Sequence, residues 1–171
     1  MEGREKTGAV ETLLVIILLV ILSVAVFSLA ASGGKAYRKI LENRNSFSSA
    51  RVALLYLDVK IRQNDNLHSV HISGDVIPET DTLIIEHPDE MMTYIFFNDG
   101  ALWESYIHNS VEPSKDLAMK VCGVSGLEMQ ENGKMIRLSA GYVYNDSEKY
   151  ISSVIYLRTY IDEEKNEKPE E

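Results

Sequence analysis

Cysteine is almost missing: Cys122 stands alone in 171 residues, so no disulfide can form within the chain and its fold rests on noncovalent packing. A single thiol of this kind is expected to serve as a small, buried apolar residue. The ten glycines are scattered apart from the Gly33-Gly34 pair, which excludes a glycine-rich loop that cradles phosphate. Histidine is equally sparse. His68 and His71 would suit a metal on a helix, but on a strand they face opposite sides, and no third ligand stands at the right spacing. His87 and His108 are isolated and read as strand-end residues. Ser125, in Gly123-Val124-Ser125-Gly126, lacks the spacing of a nucleophile elbow and reads as a turn serine. The acidic turns at 75–81 and 145–148 gather oxygens without the twelve-residue pattern of an EF-hand. Asn145-Asp146-Ser147 has the form of a glycosylation acceptor, but three-residue matches are cheap and the expectation here is a turn. The expectation is a protein that is not an enzyme, with no cofactor, no metal and no evident small-molecule substrate.

What is present is uneven. Thr12 to Ala31 contains no charged residue, and a helix of that length spans about 30 Å, the thickness of a bilayer's hydrocarbon core. The lipid bilayer is therefore an expected partner. Arg4 and Lys6 before the run and Ala30-Ala31-Ser32-Gly33 after it also fit a cleaved export signal. The run outlasts the usual apolar region of such signals, however, and Glu2, Glu5 and Glu11 interrupt the basic leader, so a retained single-pass anchor is expected.

Residues 35–64 carry seven basic and two acidic side chains, whereas 65–171 carry eight and twenty-one. The acidic distal part repels phosphate and predicts no nucleic-acid partner. The basic stretch adjoins the bilayer, where each Lys or Arg near anionic headgroups is worth about 1 kcal/mol. Charge asymmetry across the run places the following domain in the cytoplasm by the positive-inside rule.

Past Gly34, apolar residues at Tyr37, Ile40, Leu41, Phe47, Ala50, Leu54, Leu57 and Ile61 recur every three or four positions and predict an amphipathic helix over 35–64. Asn43, Asn45, Ser46, Ser48 and Ser49 are weak helix formers and predict a local break near residue 46. From residue 65 the pattern changes to short runs rich in Ile, Val, Tyr and Phe, separated by turns. Strands are expected at 69–73, 82–87, 92–98, 101–108, 117–122, 126–131, 134–140 and 150–160. Asn98-Asp99-Gly100 and Asn132-Gly133 supply positive-φ residues for two tight hairpins. Pro78, Pro88 and Pro113 fall between runs, as hydrogen-bonded ladders require. The segment 161–171, acidic and almost free of apolar residues, is expected to be a solvated tail.

The predicted fold class is therefore α+β: a leader over 1–11, a transmembrane helix over 12–31, an amphipathic helix over 35–64, and an antiparallel β-sheet over 65–160 on which that helix packs. Gly8 closing a short leader, Glu11 heading an apolar helix, an amphipathic continuation and then a sheet together resemble the type IV pilin-like architecture. RVALLYLDVKIRQND at 51–65, YIFFNDGALWES at 94–105 and VIYLRTY at 154–160 look like small minor pseudopilins of the J-type or competence-type. The same stretches look closer still to an uncharacterised family of domains of unknown function found in Gram-positive anaerobes.

The resemblance implies processing after Gly8, helix assembly in which Glu11 pairs with a neighbouring subunit's amine, other pilin-like subunits as partners, and a C-terminal domain outside the cytoplasm. That topology opposes the charge rule. Glu11 also sits third after Gly8 and not fifth as in type IV pilins, and it reads equally as a carboxylate reaching the headgroup region. The function the resemblance implies is a structural subunit of an envelope filament or secretion/uptake machine, acting by helix packing and sheet-edge contacts. The alternative is a bitopic extracytoplasmic ligand-binding or adhesion domain with no filament role, whose strand aromatics, Tyr94, Trp103 and Tyr106, contact a partner.

Overall fold

The computed structural model describes residues 2–66, 69–78 and 80–158, with side chains from Glu11 onward. One helix, α1 (Glu2–Gln63), is followed by eight strands: β1 (Val70–Ile77), β2 (Thr80–Glu86), β3 (Met91–Asn98), β4 (Ala101–His108), β5 (Met119–Gly123), β6 (Leu127–Asn132), β7 (Met135–Tyr144) and β8 (Ser147–Tyr156). The chain divides into two units at Glu42/Asn43, and α1 contributes to both.

In the first unit, Leu13 through Leu29 leave their large apolar side chains 50 to 76% exposed. An 18-residue window of this helix reaches a mean hydropathy of 3.2 with none of it buried. Apolar side chains on every face, with no protein around them, are what lipid tails solvate and water does not.

The second unit has the opposite logic. Ala50, Ala53, Leu54, Leu57 and Ile61 form one buried stripe of α1, at the three- and four-residue spacing that a helix face needs. They share a core with Leu83, Ile85, Ile95 and Leu102 from β2 to β4, and with Met129, Ile136, Leu138 and Ile155 from β6 to β8. The strands form two antiparallel sheets and not one: β1-β2-β3-β4-β5 and β6-β7-β8 in sequence order. The helix covers the inner face of both.

The sheets meet through specific groups. The Ile72 N–H on β1 donates to the Glu131 carboxylate on β6 at 2.8 Å, and the Met129 N–H donates to Asp81 on β2 at 3.4 Å. At Gly141 in β7 the β5–β6 connection crosses so closely that a Cβ would lie 2.7 Å from the Gly126 nitrogen and the Ser125 Oγ. Only glycine permits this crossing, which is fixed by Ser125 N–H to Gly141 O and Gly141 N–H to Gly126 O.

The turns follow local chemistry. Asp99 and Gly100 adopt positive φ between β3 and β4, as does Gly133 between β6 and β7. A third tight hairpin joins β7 to β8, with Asn145 and Asp146 both at positive φ. Asparagine and aspartate tolerate this region better than other non-glycine residues. Each of Pro78, Pro88 and Pro113 lies outside the ladders.

The expected break near residue 46 does not occur, and α1 is continuous there. Tertiary bonds explain this. Ser46 Oγ accepts from the Val143 N–H at 2.8 Å, Asn43 Oδ1 accepts from the Asn145 N–H at 3.1 Å, and Asn43 Nδ2 donates to Asn145 Oδ1 at 2.9 Å. Phe47 adds an edge-to-face contact with Tyr142 at 5.1 Å. The poor helix formers are the side chains that hold the β7–β8 hairpin, and the bonds they make offset their weak propensity.

Candidate functional site

The polar groups along α1 and the sheets are occupied mostly in holding the fold together. Lys60 Nζ donates to Glu104 Oε1 on β4 at 2.6 Å, a part-buried ion pair between the helix and the larger sheet. Burial holds the Glu104 carboxyl above its ordinary value, and the Lys60 ammonium supplies the counter-charge that makes this position tolerable. Arg62 binds Asp58 one turn earlier through both carboxylate oxygens, at 2.9 and 3.0 Å. Asp65 accepts from the Arg158 N–H at 2.7 Å and so ties the chain after β8 to the end of the helix.

The aromatic trio does not gather on one face. Opposed residues on β3 and β4 are Tyr94 with Ser105, Phe96 with Trp103, and Thr93 with Tyr106, so Tyr94 and Trp103 share the face turned away from α1 while Tyr106 points to the other. Tyr94 is 7% exposed, within a small second core that contains Ile77, Ile84 and Phe96 and is flanked by Met92 and Trp103. Trp103 is half-buried, its Nε1–H donating to Asn98 O at 2.8 Å, with the Lys115 ammonium 5.2 Å from its ring. Tyr106 is 58% exposed and stacks edge-on against His87.

Glu11 lies exposed on α1, and Gly8 lies in the same helix. His87 bonds Thr93 at 2.8 Å, His108 bonds Ser110 at 2.8 Å and faces Glu90 at 3.3 Å, and His71 lies 4.0 Å from Glu86. His68 is outside the described residues, as are the strand-end residues 159–160 and the acidic segment 161–171. Among the described residues no three His, Cys, Asp or Glu side chains converge as metal ligands. Asp81 and Asn145, from the two acidic turns, spend oxygens on the Met129 N–H and on Asn43. Cys122 is half-buried, and burial pushes its thiol above the ordinary value despite Lys120 nearby.

Sheet-edge contacts are expected from the sequence, but it does not say which strand supplies the edge. Of the four sheet edges, β1 and β6 donate to carboxylates of the opposite sheet, and β5 has five residues. The fourth, β8, runs ten residues without proline, and its outer edge has no ladder partner among the described residues. Such an edge is a template for another strand. A groove of about 380 Å³ lies between it and α1, lined by Arg51, Leu55, Asp58, Arg62, Ile151 and Ser153 among others. Alternation alone marks β8 as a strand, but its place at an edge follows from pairing the sequence does not announce.

These features define a class: an α+β chain whose N-terminal helix is long and apolar enough to cross a membrane once, continuing into the helix that packs on two antiparallel sheets. Within that class the chain belongs to the family described as Domain of unknown function (DUF4860), whose match covers residues 48–141, more than half of the sequence. The match begins in the sheet-packing part of α1 and ends in β7. No curated protein and no solved structure matches the chain.

Proposed function

We propose that the chain is a single-pass membrane-anchored structural subunit, similar in architecture to minor pseudopilins, that works through helix packing and sheet-edge contacts and not through catalysis. The observation that carries this reading is the continuity of α1: the apolar run and the core helix of the head are one helix, Glu2–Gln63. A tether of that kind couples the head to events among anchors in the lipid, which is what a subunit of an envelope filament or of a secretion or uptake machine needs. The open β8 edge supports it by offering lateral backbone pairing.

In this reading the head lies outside the cytoplasm, against the charge asymmetry around the anchor, and its partners are the bilayer and other pilin-like subunits. Glu11 then serves helix assembly after processing at Gly8. Intact mass of the membrane-extracted protein tests the maturation: loss of residues 1–8 supports it, whereas full length leaves a plain anchor and removes the free amine that Glu11 would meet. Co-purification with other pilin-like proteins from gently solubilised membranes is expected, and a partnerless monomer refutes the filament role. Cleavage of the head by protease added to whole cells checks the orientation.

A further inference from the structure

The head portion of α1 has a second apolar stripe. Val52, Leu55 and Val59 are 49, 60 and 48% exposed and lie roughly 180° around the helix from the buried Ala50, Ala53, Leu54, Leu57 and Ile61, at about 100° per residue. Water gains nothing from three large aliphatic side chains aligned on one face, and an aligned set of this kind marks an interaction surface. The geometry points to a parallel, in-register pairing of this stripe with the same stripe of a second copy of the chain.

Four observations select that occupant. The spacing of three and then four residues is the seam of a two-stranded coiled coil, with Val52 and Val59 at the first core position of the heptad and Leu55 at the fourth. Valine at the former with leucine at the latter favours two parallel strands. One heptad earlier the first core position holds Asn45, exposed on the surface, and a lone asparagine there fixes register in such pairs.

The flanking positions carry no like-charge clash: Arg51 would face Tyr56 of the second copy, and Asp58 would face Gln63 of the second copy. Arg51 over a tyrosine ring is favourable. The anchor supplies the remaining condition. Two copies inserted in one bilayer by the same N-terminal run are confined at high effective concentration, and each chain reaches this stripe from its N-terminal end. That confinement is needed, because three side chains per copy fall short of the roughly 1,000 Å² that a free-standing interface buries.

The inference rests on the membrane-anchor half of the proposed function and is independent of filament assembly, so loss of pilin-like partners leaves it intact. Disulfide trapping in membranes containing the full-length chain tests it. In a Cys122→Ser background, single cysteines replace Val52, Leu55 and Val59 in turn, with Glu112→Cys as an exposed control away from the helix. Mild oxidation is expected to give a dimer of this chain at the three stripe positions in at least ten-fold higher yield than at 112. Adding Leu55→Asp is expected to lower trapping through Val52→Cys and Val59→Cys at least ten-fold. Equal yields at the stripe and at 112, trapping that survives Leu55→Asp, or a cross-link only to a different protein each overturns the pairing. Unchanged thermal unfolding of the head in the Asp variant shows that the fold was not the cause.

Discussion

Two stretches of α1, one apolar throughout and one amphipathic, are held by different surroundings. Residues 13–29 expose large apolar side chains on every face, whereas between 50 and 61 the apolar residues divide into a face at zero or near-zero exposure and an opposite stripe about half exposed. The first pattern is long and apolar enough to suit lipid, and the second is met by protein on one side and, on the further inference, by a second helix on the other. Helical structure alone therefore says little about what a hydrophobic residue does. The environment of each face decides it.

The comparison breaks most sharply at the anchor. Ile17→Lys combined with Leu19→Lys places two charges at membrane depth, each costing about 2.5–3.5 kcal/mol. The chain is expected to leave the membrane fraction on sedimentation while the head unfolds at its usual temperature. Retention in the membrane would show that lipid is not what solvates the first stretch. Leu57→Ala acts on the other side of the contrast. Leu57 is fully buried beneath both sheets, and its truncation is expected to cost about 2–5 kcal/mol in urea denaturation, with membrane association unchanged.

A smaller effect sharpens how the head half of the helix is pinned. Lys60→Met leaves the Glu104 carboxylate without its counter-charge, at an expected cost of about 1–3 kcal/mol near neutral pH after allowing for partial exposure. The sign with pH follows from burial. Because the folded Glu104 carboxyl titrates above its ordinary 4.5, a proton on it favours the fold. Losing the Lys60 ammonium raises that value further, so the deficit should be greatest above the variant's folded pKa, shrink as pH falls through it, and be smallest once the carboxyl is protonated in both proteins. Thermal melts of wild type and variant across pH 4 to 8 read this directly, and a gap that stays constant would refute the assignment.

The smallest change is Ser46→Ala. It removes one hydrogen bond, worth about 0.5–1.5 kcal/mol, but improves helix propensity by a few tenths, so global stability should move little. Exchange of the Val143 amide with solvent should nonetheless accelerate, and unchanged protection there would remove Ser46 as the hairpin's tie.

Much of the architecture was legible because its causes are local. Asp99-Gly100 and Gly133 take positive φ where turn chemistry asks for it, and prolines keep out of ladders. The run from Thr12 is too long and apolar for water whatever follows it. The failures share one cause. Asn43, Ser46 and Ser48 look like a helix break when only propensity is considered, but two of them are bonded to a hairpin about a hundred residues away. Asn145-Asp146 is rightly read as a turn, and only the pairing of the flanking strands makes it the β7–β8 hairpin. Tyr94, Trp103 and Tyr106 lie around one hairpin in sequence, and only strand pairing decides that Tyr106 takes the other face of the sheet.

The sequence by itself determined an apolar span of bilayer length, an amphipathic helix after it, the strands and most of their turns, because each depends on residues within a few positions of one another. Tertiary structure alone decided that the strands form two sheets, that β8 is left as the long open edge, and that α1 buries one stripe while leaving its opposite uncovered. Those outcomes depend on which distant groups satisfy one another's hydrogen bonds and close-packing, and no local window contains both partners.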